Sequence, residues 1–227
     1  MSAPSPSRIA ARALALCAVV ARAYLEEAAP DAHTEQLRKE IRGFIRELDC
    51  EDALRDAERK LLDRPVGRLS QREQVDASWL CEGLAVLAWT LGRFELPLPD
   101  DHVDPKQVVD ALEFMRDAAS SLRTVPTVRP PQELALAQAR LTLVRDRLRA
   151  FATARGRVDL EALARGAELG ELVLAGVPLA DGDLRIDGRP LVECPEERWR
   201  EVLDAAEERC RSIGWICGGE AYGYGAA

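Results

Sequence analysis

Apolar residues recur along most of this chain at spacings of three and four, the signature of helices with one face turned to a core. In "SRIAARALALCAVVARAY", Ile9, Ala13, Cys17, Val20 and Tyr24 form such a stripe, while Arg8, Arg12, Arg22 and Glu26 share the other side. This predicts a helix over about 7–29, ended by Pro30, which disfavours a helical residue before it. "TEQLRKEIRGFIREL" repeats the pattern with Leu37, Ile41, Phe44, Ile45 and Leu48, and "EDALRDAERKLL" follows as a third helix. After Pro65 and Gly67, Ser70 and Glu73 have the spacing of a capping box, in which each side chain satisfies a backbone N–H of the new helix. That helix, 70–91, holds the most apolar stretch, "WLCEGLAVLAWTLG". Asp104-Pro105 opens a helix continuing through "QVVDALEFMRDAASSL", and a proline-bearing link leads to a long helix over about 131–154. A helix over about 159–174 and a last one from Pro195 complete the series. Only "DLRIDGRPLVE" alternates as strands do, its two short runs meeting at Asp187-Gly188, a pair that tolerates the positive φ angles of a tight hairpin turn.

These elements predict a mostly α fold: a single helical domain of about eight helices over 8–218, with one small peripheral β-hairpin. Residues 1–7 are expected to be disordered and 219–227 to form a flexible tail. The core is expected to be the apolar helix 70–91, packed by the first helix, the long helix and the last. No parallel sheet is predicted, so no nucleotide crevice of the doubly wound kind.

Composition narrows the function. The chain has 227 residues, 47% apolar and 31% charged, an ordinary balance for a folded protein. A net charge of −8 repels phosphate backbones and anionic membrane surfaces, so neither nucleic acid nor membrane is an expected partner. Of 31 basic residues only Lys39, Lys60 and Lys106 are lysines; a GC-rich bacterial genome accounts for that bias. The six cysteines form no CxxC pair and lie near no histidine at ligand spacing, which argues against a zinc site. Cysteines inside apolar patterns favour a reducing compartment, and a cytoplasmic location is expected. The first helix imitates a signal peptide, but its two-sidedness is foreign to a secretory apolar core.

The candidate chemistry centres on Glu82. It shares a helical face with Trp79, Val86 and Trp89, and a buried carboxylate needs a partner. Arg12 in the first helix and Arg209 or Arg211 in the last are the candidates, giving a buried polar cluster of Glu82, Arg12, Arg209, Trp79, Trp89 and Trp215. Asp100, Asp101, His102 and Asp104 lie in one loop but match no calcium-loop spacing, and a helix cap at Asp104 is the simpler reading. "DGDLRIDG" lacks the distal Glu of an EF-hand, and "GGEAYGYG" follows a helix rather than a strand, so neither is a ligand loop. Neither His33 nor His102 has a nucleophile at a recognisable spacing. The segment 140–157 holds six arginines, Arg140, Arg145, Arg147, Arg149, Arg155 and Arg157, read as flanking an apolar stripe and snorkelling to solvent. The sequence therefore predicts no catalytic residue, no metal and no cofactor.

Three pieces, "RIAARALAL", "LSQREQVDASWLCEGLAVLAWTLGRFELP" and "EERCRSIGWICG", together resemble the bacterial family catalogued as domain of unknown function 4272. The middle piece carries the family's W-x-x-E…W-x-x-G pattern in Trp79, Glu82, Trp89 and Gly92, and the resemblance spans about 8–218. It implies that Arg12, Glu82, Arg209 and Trp215 stand where the family keeps similar residues, and it implies no activity. Cys210 stands where members often have His, and the Gly- and Tyr-containing ending departs from theirs. The resulting expectation is a non-catalytic protein-interaction module with a protein partner, toxin neutralisation being one concrete version. The alternative is a small enzyme with a pocket centred on Glu82, Trp79, Trp89 and an arginine.

Overall fold

The structure is a computed structural model and describes residues 2–117, 119–165 and 170–219. The fold is mostly α, with ten α-helices and one three-stranded antiparallel sheet among the described residues. These gather into two compact units, Ala3–Glu95 with Val103–Arg129, and Leu96–His102 with the chain from Pro130 on. Among the described residues, no helix is long and apolar enough to cross a membrane.

The first unit is built round α1 (Pro6–Tyr24), which starts inside the stretch expected to be disordered because Ser5 caps it, accepting from the Arg8 N–H. Its small alanines let neighbouring helices approach from several sides, so the helix is buried almost all round. On the arginine side Arg8 is exposed, but Arg12, expected in a buried cluster, is 4% exposed and Arg22 is fully enclosed. Burial is possible because the Arg22 guanidinium donates to Glu26 (2.6 Å) and to the Arg64 and Pro65 carbonyls (3.1 and 3.0 Å). A 3-10 turn over Leu25–Glu27 leads to α2 (Ala32–Glu47), capped by Asp31 and Thr34, and then to α3 (Asp56–Asp63). The Ser70–Glu73 capping box forms as predicted and starts α4 (Gln71–Thr90), which packs along α1. Gly92, at φ 68°, ends α4 in the left-handed conformation that its lack of a Cβ permits.

The single helix expected over 104–122 is instead two, α5 (Pro105–Ala111) and α6 (Ala119–Thr124). Glu113 and Met115 take positive φ of 51° and 65° between them, which ends the helix and turns Phe114 inward, edge-on to Phe44 at 5.2 Å. An aromatic pair with Phe114 buried contributes area and quadrupole energy that offset two strained residues.

The second unit pairs α7 (Pro131–Thr153) with the last helix, α10 (Glu196–Ile216). Between them lie α8 (Leu160–Ala164) and α9 (Gly170–Leu174), two short helices within the span expected to be one. The sheet follows: β1 (Leu179–Ala180), β2 (Asp183–Ile186) and β3 (Arg189–Pro190), in that order. Leu179 faces Leu184 in the first pair, and Arg185 faces Pro190 in the second. Asp187-Gly188 makes the predicted turn, and Asp181-Gly182 makes a second with the same positive φ pattern. Leu184 and Ile186 join Val144, Leu148, Phe151, Trp199 and Val202 in one core, where Phe151 and Trp199 meet edge to face at 5.7 Å. The flexible tail expected from 219 onward lies outside the described residues beyond Gly219.

Candidate functional site

Glu82 sits on the inner face of α4 and is 1% exposed. Its Oε1 accepts the Val103 backbone N–H at 3.0 Å, which fixes the residue just before the Asp104 cap of α5. The carboxylate is therefore sealed in protein, without the solvent-facing position that a general base in a pocket needs. Trp79 is half-buried. Trp89 is buried, and the Arg129 guanidinium lies 4.9 Å over its ring while donating to its carbonyl at 2.8 Å. Nothing in the link "RTVPTVRPP" marks Arg129 for that role.

The arginines assigned to the Glu82 cluster have strong partners of their own. Arg12 forks onto Glu58, NH1 to Oε2 at 2.6 Å and NH2 to Oε1 at 2.7 Å, and also donates to the Ala53 carbonyl at 2.8 Å. Burial pushes the Glu58 carboxyl up, but Arg12 and the Arg55 N–H outweigh it and hold the group below the usual carboxylate range. In the second unit Arg209 is buried and donates to the Leu98 and Asp101 carbonyls at 3.1 and 2.6 Å, and Arg211 pairs with Glu208. Trp215 is half-buried on α10.

The acidic loop is organised by a cation of the chain itself. Arg198 donates to both Asp187 oxygens at 2.8 and 2.9 Å, to Glu201 at 3.2 Å and to the Asp100 carbonyl, and lies 2.7 Å from His102 Nε2. Asp100 is buried rather than solvated, accepting the Asp187 N–H at 2.8 Å, while Asp104 caps α5 through the Lys106 N–H at 2.9 Å. Among the described residues, no group of three or more His, Cys, Asp or Glu is placed to hold a metal ion. His33 is exposed at the start of α2.

The basic segment 140–157 is matched along its length. Arg140 donates to the Leu172 and Val173 carbonyls, and Arg145, Arg149, Arg155 and Arg157 pair with Asp146, Glu207, Glu196 and Asp181. Arg147 corrects the snorkelling assignment. It is 4% exposed, because Asp183 on β2 offers it a bidentate partner at 2.7 and 2.6 Å inside the unit.

A feature the sequence reading passed over lies at the end of α1. Tyr24, 39% exposed, stands between two grooves. One, of about 320 Å³, is lined by Val20, Ala21, Pro105 and Val109 with Asp104 and Lys106. The other, of about 250 Å³, is lined by Ala23, Glu27, Gln71, Gln74, Val75 and Ser78. Partial burial, aided by the negative fields of Cys81, Glu27 and Asp104, raises the Tyr24 hydroxyl above its ordinary pKa. Tyr24 was readable only as one member of an apolar stripe, since the grooves arise from three segments far apart in sequence.

A family model described as Domain of unknown function (DUF4272) matches residues 1–158. The matched stretch contains α1 to α7, with Arg12, Tyr24, Trp79, Glu82 and Trp89, and stops before Arg209 and Trp215. No curated protein and no solved structure matches the chain. With 158 of its 227 residues matched, this chain belongs to the DUF4272 family.

Proposed function

We propose that the chain is a non-catalytic protein-interaction module of the bacterial cytoplasm, with neither nucleic acid nor a membrane as its partner. The observation that carries this reading is the pair of open grooves sharing Tyr24, a half-exposed aromatic with apolar side chains on both flanks. Aromatic anchors beside apolar recesses are where binding energy concentrates in protein interfaces. The enzyme reading requires Glu82 to be reachable from solvent, and its burial under the Val103 N–H counts against that. Toxin neutralisation is the concrete form that an acidic chain suggests, since it predicts a tight complex with a basic protein. The test is affinity purification of the tagged full chain from its native cells, with mass spectrometry of what co-elutes. A stoichiometric protein partner, lost on Val75→Asp, is expected; a partner-free monomer overturns the reading.

A further inference from the structure

Several carboxylates of the first unit meet arginines. Arg22 meets Glu26, Arg38 meets Glu35, Arg12 meets Glu58, Arg64 meets Glu73 and Arg72 lies near Asp76. Glu27 and Asp104 take part in no ion pair among the described residues, and both line the grooves beside Tyr24. Each is close enough for its charge to be felt at the Tyr24 hydroxyl. Lys106 is the one cation lining either groove. The apolar lining, by contrast, is continuous with the core, because Val20, Ala21 and Val109 belong to α1 and α5.

From this arrangement, and resting on the interaction reading above, we propose that the grooves take a basic amphipathic helical segment of a partner protein. One apolar side chain would seat on each side of Tyr24, and Lys or Arg side chains would pair with Glu27 and Asp104. The volumes suit this, since a cavity of roughly 150 Å³ already encloses a benzene ring and the grooves measure about 320 and 250 Å³. Two recesses separated by one ring match apolar residues spaced three or four apart on a helix, with charges on the flanking positions. The sign of the charges selects the partner: an acidic segment meets two unpaired carboxylates and, at longer range, a net charge of −8.

The test places a photoreactive amino acid at Val75, which is 45% exposed in the second groove, and as a control at exposed Lys39 on α2, in the full chain in its native cells. Cross-linked peptides are sequenced by mass spectrometry. The expected product, from Val75 and not Lys39, is a segment with apolar residues at helical spacing and several Lys or Arg. The double variant Glu27→Gln with Asp104→Asn removes both charges while Asn keeps the cap, and circular dichroism checks that the fold is unchanged. It is expected to lower cross-link yield about 2-fold to 30-fold, the range of two exposed ion pairs. A cross-link from Val75 to an acidic or uncharged segment, or to a second copy of this chain, overturns the basic-segment proposal. So does a yield indifferent to the double variant. A protein captured only from Lys39 overturns the groove and leaves the interaction reading standing; no protein captured from either position overturns both.

Discussion

Replacing Arg147 with Met is predicted to cost about 3–5 kcal/mol, the range found when one member of a buried ion pair is removed. The structure gives reasons to expect the full range. Asp183 is left with no countercharge, and the Gly156 carbonyl loses its 2.7 Å donor. The remaining donors to Asp183 are the Val158 and Leu184 N–H groups, at 3.2 and 2.7 Å, which hold an oxygen in place without neutralising it. Swapping both partners for apolar residues is often neutral elsewhere, but here it is not, because those two N–H groups would lose their acceptor, at about 1–3 kcal/mol each. The double variant Arg147→Met with Asp183→Leu is therefore expected to be less stable than wild type, yet to fall well short of the sum of the single losses. Urea unfolding followed by circular dichroism and by tryptophan fluorescence gives all four corners of the cycle. A loss below about 1 kcal/mol for Arg147→Met, or a coupling energy within about 0.5 kcal/mol of zero, would refute the reasoning.

The other expectations share the same assays. Glu82→Ala should cost more than Glu82→Gln, by about 1–3 kcal/mol, because Gln keeps an oxygen for the Val103 N–H and Ala leaves that donor buried; equal midpoints in urea would contradict the role given to Oε1. Glu58 and Asp183 have carboxyls lowered from ordinary values of 4.5 and 3.8, so their contribution is fully present above those values and is lost as pH falls through the lower folded ones. Stability should accordingly drop as pH is taken below about 4, less steeply in Arg12→Leu and Arg147→Met; parallel curves for wild type and variants would show that these pairs are not the acid-sensitive groups. Gly188→Ala, with φ at +79° and open space around the new methyl, should cost about 1–2 kcal/mol from backbone strain alone; an unchanged unfolding midpoint would mean that the turn relaxes.

How much of this was legible in the sequence differs by residue. The helices around Ser70–Glu73, Leu37–Leu48 and Leu141–Phe151 were legible because caps and periodicity act within one or two turns. The break at Glu113 and Met115 was not, since what stabilises it is the meeting of Phe114 with Phe44, seventy residues earlier. Burial of Glu82 could be read from its apolar surroundings. The Glu58 partner of Arg12 could not, because "EDALRDAERKLL" has the look of an ordinary solvated helix and only the packing of α3 on α1 encloses it. Arg147 failed for a related reason: on the border of an apolar stripe, exposure and burial depend on whether another element brings a carboxylate, and Asp183 arrives from a strand 36 residues on. The Tyr24 grooves combine residues of α1, α4 and α5, so no window of sequence contains them.

The preference for arginine over lysine acquires a structural use in this fold. Arg12, Arg22, Arg147 and Arg209 are all buried, and each donates to one or two backbone carbonyls of a loop or turn. The planar guanidinium has donors enough to hold a carboxylate on one edge and a loop carbonyl on another, which a single ammonium on a flexible stem does less well. Short connections such as Ala53, Arg64-Pro65, Gly156 and Leu98–Asp101 are thus tied to helices through their backbone carbonyls.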